Sequence, residues 1–309
     1  MRLTAILFWL LAFTAQPAFA ASAPELKSLE QQLSLILASK SGDHGVAALD
    51  LATGEIVGVA ADEPFPMAST VKIAIAAHYL AEVEAGRRSM NDIIAGRSAA
   101  SLMDAMIITS DNHATDLLLM NLGGPAATQR WLHQKNIYGL RVDRTIDQLL
   151  RARRDLYDVR DSSTPRAMVN LLGQLDKGNL LQPWSRFHLL SLMERCKTGK
   201  NRIRGMLPFG TQVQNKTGTL NGLTTDVGFI TLPDGRRLAV AFFARHGTDR
   251  PRTIAETART VYDGFLRWVK TPFGAKAGVT TTAPALVPQT AAPTTASAGF
   301  AVRASTERH

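Results

Sequence analysis

Ser69 and Lys72 stand three residues apart at the head of a mostly apolar run, Val71, Ile73, Ile75, Ala76, Tyr79, Leu80 and Val83, which follows Pro64 and Pro66 and ends near Gly86. The prolines suit no helix interior and the apolar spacing is helical, so a largely buried helix should begin at or near Ser69. Residues three apart share a helix face, which sets the Lys72 amine beside the Ser69 hydroxyl. A serine hydroxyl becomes an effective nucleophile when a neighbouring base takes its proton. A lysine is such a base when burial or nearby positive charge lowers its pKa. The start of a helix also favours negative charge developing on an attacked carbonyl. Taken alone, the pair is equally the ordinary pattern of a capping serine followed by a surface lysine; its chemistry depends on company.

That company comes in two further clusters. Ser110-Asp111-Asn112 separates an apolar segment (Leu102, Met103, Met106, Ile107, Ile108) from another (Leu117, Leu118, Leu119, Met120), and Asp111 is placed to cap the second helix. Lys216-Thr217-Gly218 follows Gln212-Val213-Gln214-Asn215, a stretch that could begin an edge strand. Such a strand can pair its backbone with an extended amide, and Gly218 permits close approach.

In this order, the three motifs resemble the signature of the penicillin-recognising serine enzymes, and among them the class A β-lactamases. The resemblance implies that Ser69 is the nucleophile with Lys72 as its base. It implies that Ser110 relays a proton to the leaving amine nitrogen, and that Asn112 hydrogen-bonds both the substrate amide and Lys72. The oxyanion hole would come from the backbone N–H groups of Ser69 and Thr219, with Thr217 and Gly218 on the same substrate-binding strand. Lys216 would add positive charge near the substrate carboxylate and Ser110. Where many class A enzymes carry a carboxylate-binding arginine this chain has Thr224-Thr225; counting back from Lys216 through Leu207-Pro208, as in members that place it before the strand, gives Arg202. One more surface cation in a basic chain is the competing reading of Arg202.

From Asn112 the resemblance runs through Leu122-Gly123-Gly124-Pro125 and Trp131-Leu132-His133 to Arg141-Val142-Asp143-Arg144, then resumes at Arg160-Asp161-Ser162-Ser163-Thr164-Pro165, similar to the end of the lactamase Ω-loop. It implies an Arg144–Asp161 salt bridge closing that loop. The family's loop carries a glutamate and, four residues on, an asparagine that activate the deacylating water; here those positions read Ile146 and Leu150. Isoleucine can neither orient nor deprotonate water. A one-residue slip would bring in Asp147 as a water activator, and Asp155 and Asp158 are the other loop acids able to reach in; an exposed loop acid is the competing reading of Asp147. The connection between Lys72 and Ser110 is also short, with brief turns at Ala85–Ser89 and Ala95–Ser98, implying a site open on that side.

The elements that must position these residues follow from both ends of the chain. Gly45–Leu49 and Glu55–Val59 form an expected hairpin, as do Val227–Ile230 and Leu238–Phe243, and a helix should run from about Ile254 to Trp268. Strands at the ends with helices between predict an α+β fold. By resemblance it is the β-lactamase/transpeptidase-like fold: one antiparallel sheet built from both termini, flanked by helices, with a helical lobe inserted over about 64–200. The organisation read from the chain is a signal peptide over 1–20, a serine-hydrolase domain over 21–270 and a tail over 271–309. Met1-Arg2, the apolar Ile6–Leu11 and Ala18-Phe19-Ala20 read as a secretory signal cleaved after Ala20, which puts the protein in the periplasm. The apolar stretch is shorter than the ~20 residues of a membrane span, and no cysteine follows it to carry a lipid. The Thr/Ala/Pro-rich tail cannot bury a core and should be disordered.

The single cysteine, Cys196, excludes an intramolecular disulfide and reads as a packed thiol. A net charge of +9 raises nucleic acid as a partner, but no Lys/Arg cluster is interleaved with aromatics, and Arg151, Arg153 and Arg154 read as a solvated face. His78, His113 and His133 lack ligand spacing, so neither metal nor other cofactor is expected. A monomer acting on a small β-lactam or D-Ala-D-Ala-like substrate is the expectation. Three functions stay open: a class A-like β-lactamase with atypical or slow deacylation, a peptidoglycan DD-peptidase-like amide/ester hydrolase, and a β-lactam-binding sensor that does not turn over.

Overall fold

The computed structural model describes residues 23–275; the signal peptide and nearly all of the tail expected from the sequence lie outside the described residues. Five strands, β1 (Asp43–Asp50), β2 (Ile56–Val59), β3 (Val213–Leu220), β4 (Leu223–Thr231) and β5 (Arg237–Arg245), form one antiparallel sheet in the order β2-β1-β5-β4-β3. The first two strands precede the helical region in sequence and the last three follow it, so both ends of the chain meet at the β1–β5 pair. β3 is an edge of the sheet.

Both faces of the sheet are covered, which is why β1 and β5 read as nearly continuous apolar runs rather than as alternation. On β1, Val46 and Ala48 face one core while Ala47 and Leu49 face the other; on β5, Leu238, Val240 and Phe242 oppose Ala239, Ala241 and Phe243 in the same way. The first core is closed by α1 (Pro24–Ala38) and α9 (Arg250–Trp268). Leu26, Leu29 and Leu33 pack there with Ile254, Val261 and Phe265, all buried. Each such side chain contributes about 1.5–3 kcal/mol by leaving water.

The second core joins the sheet to the helices of the inserted lobe. These are α2 (Lys72–Glu84), α3 (Ala99–Asp104), α4 (Asn112–Asn121), α5 (Pro125–Gln134), α6 (Ile146–Arg151), α7 (Pro165–Asp176) and α8 (Pro183–Glu194). Nine consecutive residues of α2, Lys72 through Leu80, are buried. A helix covered on all sides can hold a lysine only in a site that satisfies it. His78 lies on α2 with its Nδ1 3.1 Å from Thr128 Oγ1 and its ring stacked on Trp131; burial pushes its pKa down to about 4. Cys196 is buried at the end of α8, its Sγ 3.3 Å from Thr198 Oγ1.

Candidate active site

Ser69 sits in a tight turn, Ala68–Val71, that runs directly into α2. Ala68 is held at a φ of 48°, a conformation costly for a residue with a Cβ. The surroundings impose it. The Met67 N–H donates to the Asp161 carbonyl, the Met67 carbonyl accepts from Thr70 Oγ1, and β3 presses against the turn from the sheet side. Gly218 is what lets that strand in: a Cβ there would lie 2.8 Å from the Met67 carbonyl oxygen and 3.0 Å from Ala68 Cβ. The edge of β3 is thereby set against the turn of Ser69.

Lys72 follows one short turn later and its side chain is fully buried. Its Nζ donates to the Ser110 carbonyl and to Asn112 Oδ1, both at 2.8 Å, with Ser110 Oγ at 3.2 Å. Burial, reinforced by the positive charge of Lys216, pushes its pKa from 10.5 down to about 7, against the opposing pull of Asp111 and Asp116. That brings its titration into the neutral range. Ser110 reaches the lysine because α3 and the wider helical turn that extends it, Ala105–Thr109, end in a left-handed residue: Ser110 has φ 62°. Asp111 then caps α4, accepting from the Ala114 N–H at 2.7 Å.

Lys216 approaches the same hydroxyl from β3. Its Nζ donates to Ser110 Oγ at 2.9 Å and to the Thr217 carbonyl at 2.9 Å. Burial pushes it down to about 8. The Ser110 hydroxyl thus accepts from Lys216, which leaves its own proton to be directed elsewhere.

Arg202, at the start of a short helical turn Ile203–Gly205, reaches the far side of β3. Its Nη1 donates to the Gly218 and Thr225 carbonyls at 2.9 Å each, and its Nη2 to Thr219 Oγ1 at 2.7 Å. It is half-buried, not one more surface cation, and burial pulls its pKa down. With its oxygen accepting from Arg202, the Thr219 hydroxyl, exposed at the strand edge, can aim its own proton at an incoming acceptor. Beneath lies Asp226, fully buried on β4 and bonded by Asn215 Nδ2 at 2.7 Å and the Ile203 N–H at 3.2 Å. Burial pushes it up to about 6. Thr217 Oγ1 pairs with Thr198 Oγ1 at 2.5 Å.

On the opposite wall the Ω-loop keeps its frame. Arg144 Nε donates to Asp161 Oδ2 at 2.5 Å, and the N–H groups of Asp143 and Arg144 to Asp161 Oδ1 at 2.8 and 3.0 Å. α6 starts on a capping box, Thr145 with Gln148, and Asp116 of α4 accepts from the N–H groups of Ile146 at 2.7 Å and Asp147 at 2.9 Å. This start turns Ile146 inward, where it is buried, and Asp147 outward. The slip that would have swung Asp147 in does not occur: its carboxylate pairs with Arg151 at 3.0 Å with a side chain 56% exposed. Asp158 is held by Arg160 and Arg144, and Asp155 accepts from the Tyr157 N–H, so neither replaces it.

Residues 28–265 match the model of the beta-lactamase enzyme family. The chain belongs to the β-lactamase enzyme family. It is 28% identical over 272 residues to the extended-spectrum beta-lactamase PER-1 of Pseudomonas aeruginosa, covering 77% of this chain and 88% of that one. A beta-lactamase of Bacteroides uniformis is 27% identical over 278 residues, 79% and 93% of the two chains. Among solved structures, an ancestral class A beta-lactamase superposes with a TM-score of 0.72 at 34% identity, covering 77% of this chain and 100% of its own. A beta-lactamase from Chitinophaga pinensis gives 0.72 at 27%, covering 77% and 99%. The fold is that of class A β-lactamases, and the protein is a class A-like serine hydrolase.

Within this β-lactamase-family chain the structure gathers Lys72, Ser110, Asn112 and Lys216 into one hydrogen-bonded group and sets Gly218 against the turn of Ser69. Arg202, Thr217 and Thr219 line the strand behind it, and Asp147 stands apart. Sequence reasoning passed over Asp116 and Asp226. Asp226 stood just before the expected strand at Val227 and became interior only because that strand begins at Leu223; Asp116 had only its place one turn after Asn112.

Proposed function

We propose that this β-lactamase-family protein is acylated at Ser69 by β-lactams and releases the acyl group slowly. Lys72, its pKa lowered to about 7 by burial and by Lys216, takes the Ser69 proton as Oγ attacks the lactam carbonyl. The N–H groups of Ser69 and Thr219 stabilise the oxyanion. The proton passes through Ser110 to the lactam nitrogen as the C–N bond breaks, and Lys216, the Thr219 hydroxyl and Arg202 behind it favour a carboxylate on the leaving side. The product of this step is an ester on Ser69, whose hydrolysis needs an activated water.

The observation that carries the slow second step is Ile146: a buried hydrocarbon opens α6 at the position where the resemblance places a water-activating glutamate, and each nearby loop carboxylate is engaged elsewhere. Export to the periplasm accords with this substrate; among the described residues no helix is long and apolar enough to cross a membrane. The test is stopped-flow hydrolysis of a chromogenic cephalosporin, with intact-mass spectrometry on the same mixture. We expect a burst of one equivalent and a long-lived adduct that Ser69→Ala abolishes. Labelling of Ser69→Ala at the wild-type rate would overturn the nucleophile assignment, and fast turnover without adduct would overturn slow release.

A further inference from the structure

The segment that leaves α8, residues 196–199, is wedged between the turn that carries Ser110 and the edge strand β3. The Lys197 N–H donates to the Ile108 carbonyl at 2.9 Å, two residues before Ser110. Gly199, at φ 61°, comes so close to β3 that a Cβ there would lie 2.6 Å from Thr217 Cγ2. Between these two fastenings the Thr198 hydroxyl lies 2.5 Å from the Thr217 hydroxyl and 3.3 Å from Cys196 Sγ. Cys196 and Thr217, the two ends of this row, are buried.

One proton lies between the two threonine oxygens, and its owner decides what Thr217 can do. Sulfur is a weak acceptor, so the Thr198 proton gains little from Cys196 and more along the short contact to Thr217 Oγ1. The Thr198 oxygen is then open to the Cys196 S–H; the Thr198 carbonyl, 3.8 Å from Sγ, is the longer alternative. Hydrogen bonds that run one way along a row strengthen each other. With its oxygen already accepting, the Thr217 hydroxyl has its own proton to give. Thr219, two residues on and so on the same side of the strand, is in the same condition, because Arg202 Nη2 donates to its Oγ1 at 2.7 Å.

We infer that Thr198 is a positioning residue, with Cys196 behind it as a second: the pair fixes the direction of the hydroxyl row so that Thr217 donates toward the leaving side of the substrate. An anion there takes that proton through a charge-assisted bond, about twice as strong as a neutral one. A neutral ester in its place gains much less from the same donor. The chain's single thiol therefore acts on substrate choice through two threonines, without touching substrate itself. This inference rests on the reading of Ser69 as the acylated nucleophile.

The test compares stopped-flow acylation rate constants for a chromogenic cephalosporin and for the methyl ester of its carboxylate. Thr198→Val keeps the side-chain shape and removes the hydroxyl; it is expected to lower the acid-to-ester ratio about tenfold, the scale of one hydrogen bond to a charged group. Cys196→Ala removes the weaker donor and is expected to lower the ratio about threefold. Cys196→Ser puts back a donor of similar size and is expected to restore it. Should Thr198→Val fail to fold, the two Cys196 variants carry the test. An unchanged ratio in folded Thr198→Val or Cys196→Ala, whether both rates move together or neither moves, overturns the assignment of that residue while leaving Ser69 acylation intact. A ratio as low in Cys196→Ser as in Cys196→Ala overturns the donor role of the thiol. Failure of both compounds to acylate wild type overturns the acylation reading and this inference with it.

Discussion

On the Ser69 side of the cleft the polar groups converge: Lys72 and Lys216 on Ser110, Asn112 on Lys72, and Arg202 ties Gly218, Thr219 and Thr225 together. On the Ω-loop side the polar contacts are structural. Arg144 and Asp161 close the loop, Asp116 caps α6, and Arg245 pins its middle. What points inward from that wall is Ile146. A loop can keep its frame and lose its reactive group because the two draw on different atoms: backbone N–H groups and salt bridges make the frame, and one side chain makes the chemistry. On the proposed mechanism, the groups for the first half-reaction are gathered in one cluster and the Ω-loop offers a hydrocarbon where the second would need a base.

Restoring that side chain is the largest way to break the contrast. Ile146→Glu with Leu150→Asn should speed loss of the Ser69 adduct about 10²-fold, the scale of a general base, read by intact-mass time courses. An unchanged adduct lifetime would mean that the wall differs from its relatives in more than these two positions.

The nucleophile side can be sharpened by pH. Acylation needs Lys72 neutral, so its rate should rise through about pH 7. It also needs Lys216 charged, so the rate should fall through about pH 8. The two lysines titrate as a coupled pair and give one bell-shaped profile, measured by stopped-flow acylation. Lys216→Arg keeps its charge throughout this range and should remove the alkaline limb, because guanidinium does not titrate there.

Smaller effects belong to the frame. Asp161→Ala leaves Arg144 and two N–H groups without their shared acceptor and should cost about 2–3 kcal/mol, seen as a lower midpoint in denaturant unfolding. Asp116→Ala removes the acceptor at the start of α6 and should cost about 1 kcal/mol. Both should leave the burst of acylation intact. A lost burst in either would mean that the loop frame also orders the nucleophile.

Much of this was legible without coordinates, and for identifiable reasons. The turn and helix after Ser69 were written in the Pro64–Pro66 break and the apolar run, and Asp111 caps α4 as its type and place suggest. The edge strand was legible from Val213 onward, and both hairpins formed, the second with strands longer than its apolar core and the first with its second strand starting one residue later, at Ile56. Asp147 was the ambiguous position because adjacent residues on a short helix face opposite ways; which one turned inward depended on Asp116, thirty-one residues away. Arg245 and Leu156 carried no local signal, since neither a strand-end arginine nor a loop leucine is unusual.

The order of motifs and their residue types therefore singled out by themselves Ser69, Lys72 and the alternation of helix and strand, because these rest on local periodicity and on what each side chain can do chemically. Tertiary structure decided the rest. The lowered pKa of Lys72 comes from burial beside a second lysine 144 positions along the chain. The inward turn of Ile146, the capture of Arg202 by strand carbonyls and the closing of Leu156 over Ala68 arise likewise from contacts between distant segments. Burial and charge fall off with distance through space, not along the chain, and only the folded sheet and lobe set those distances.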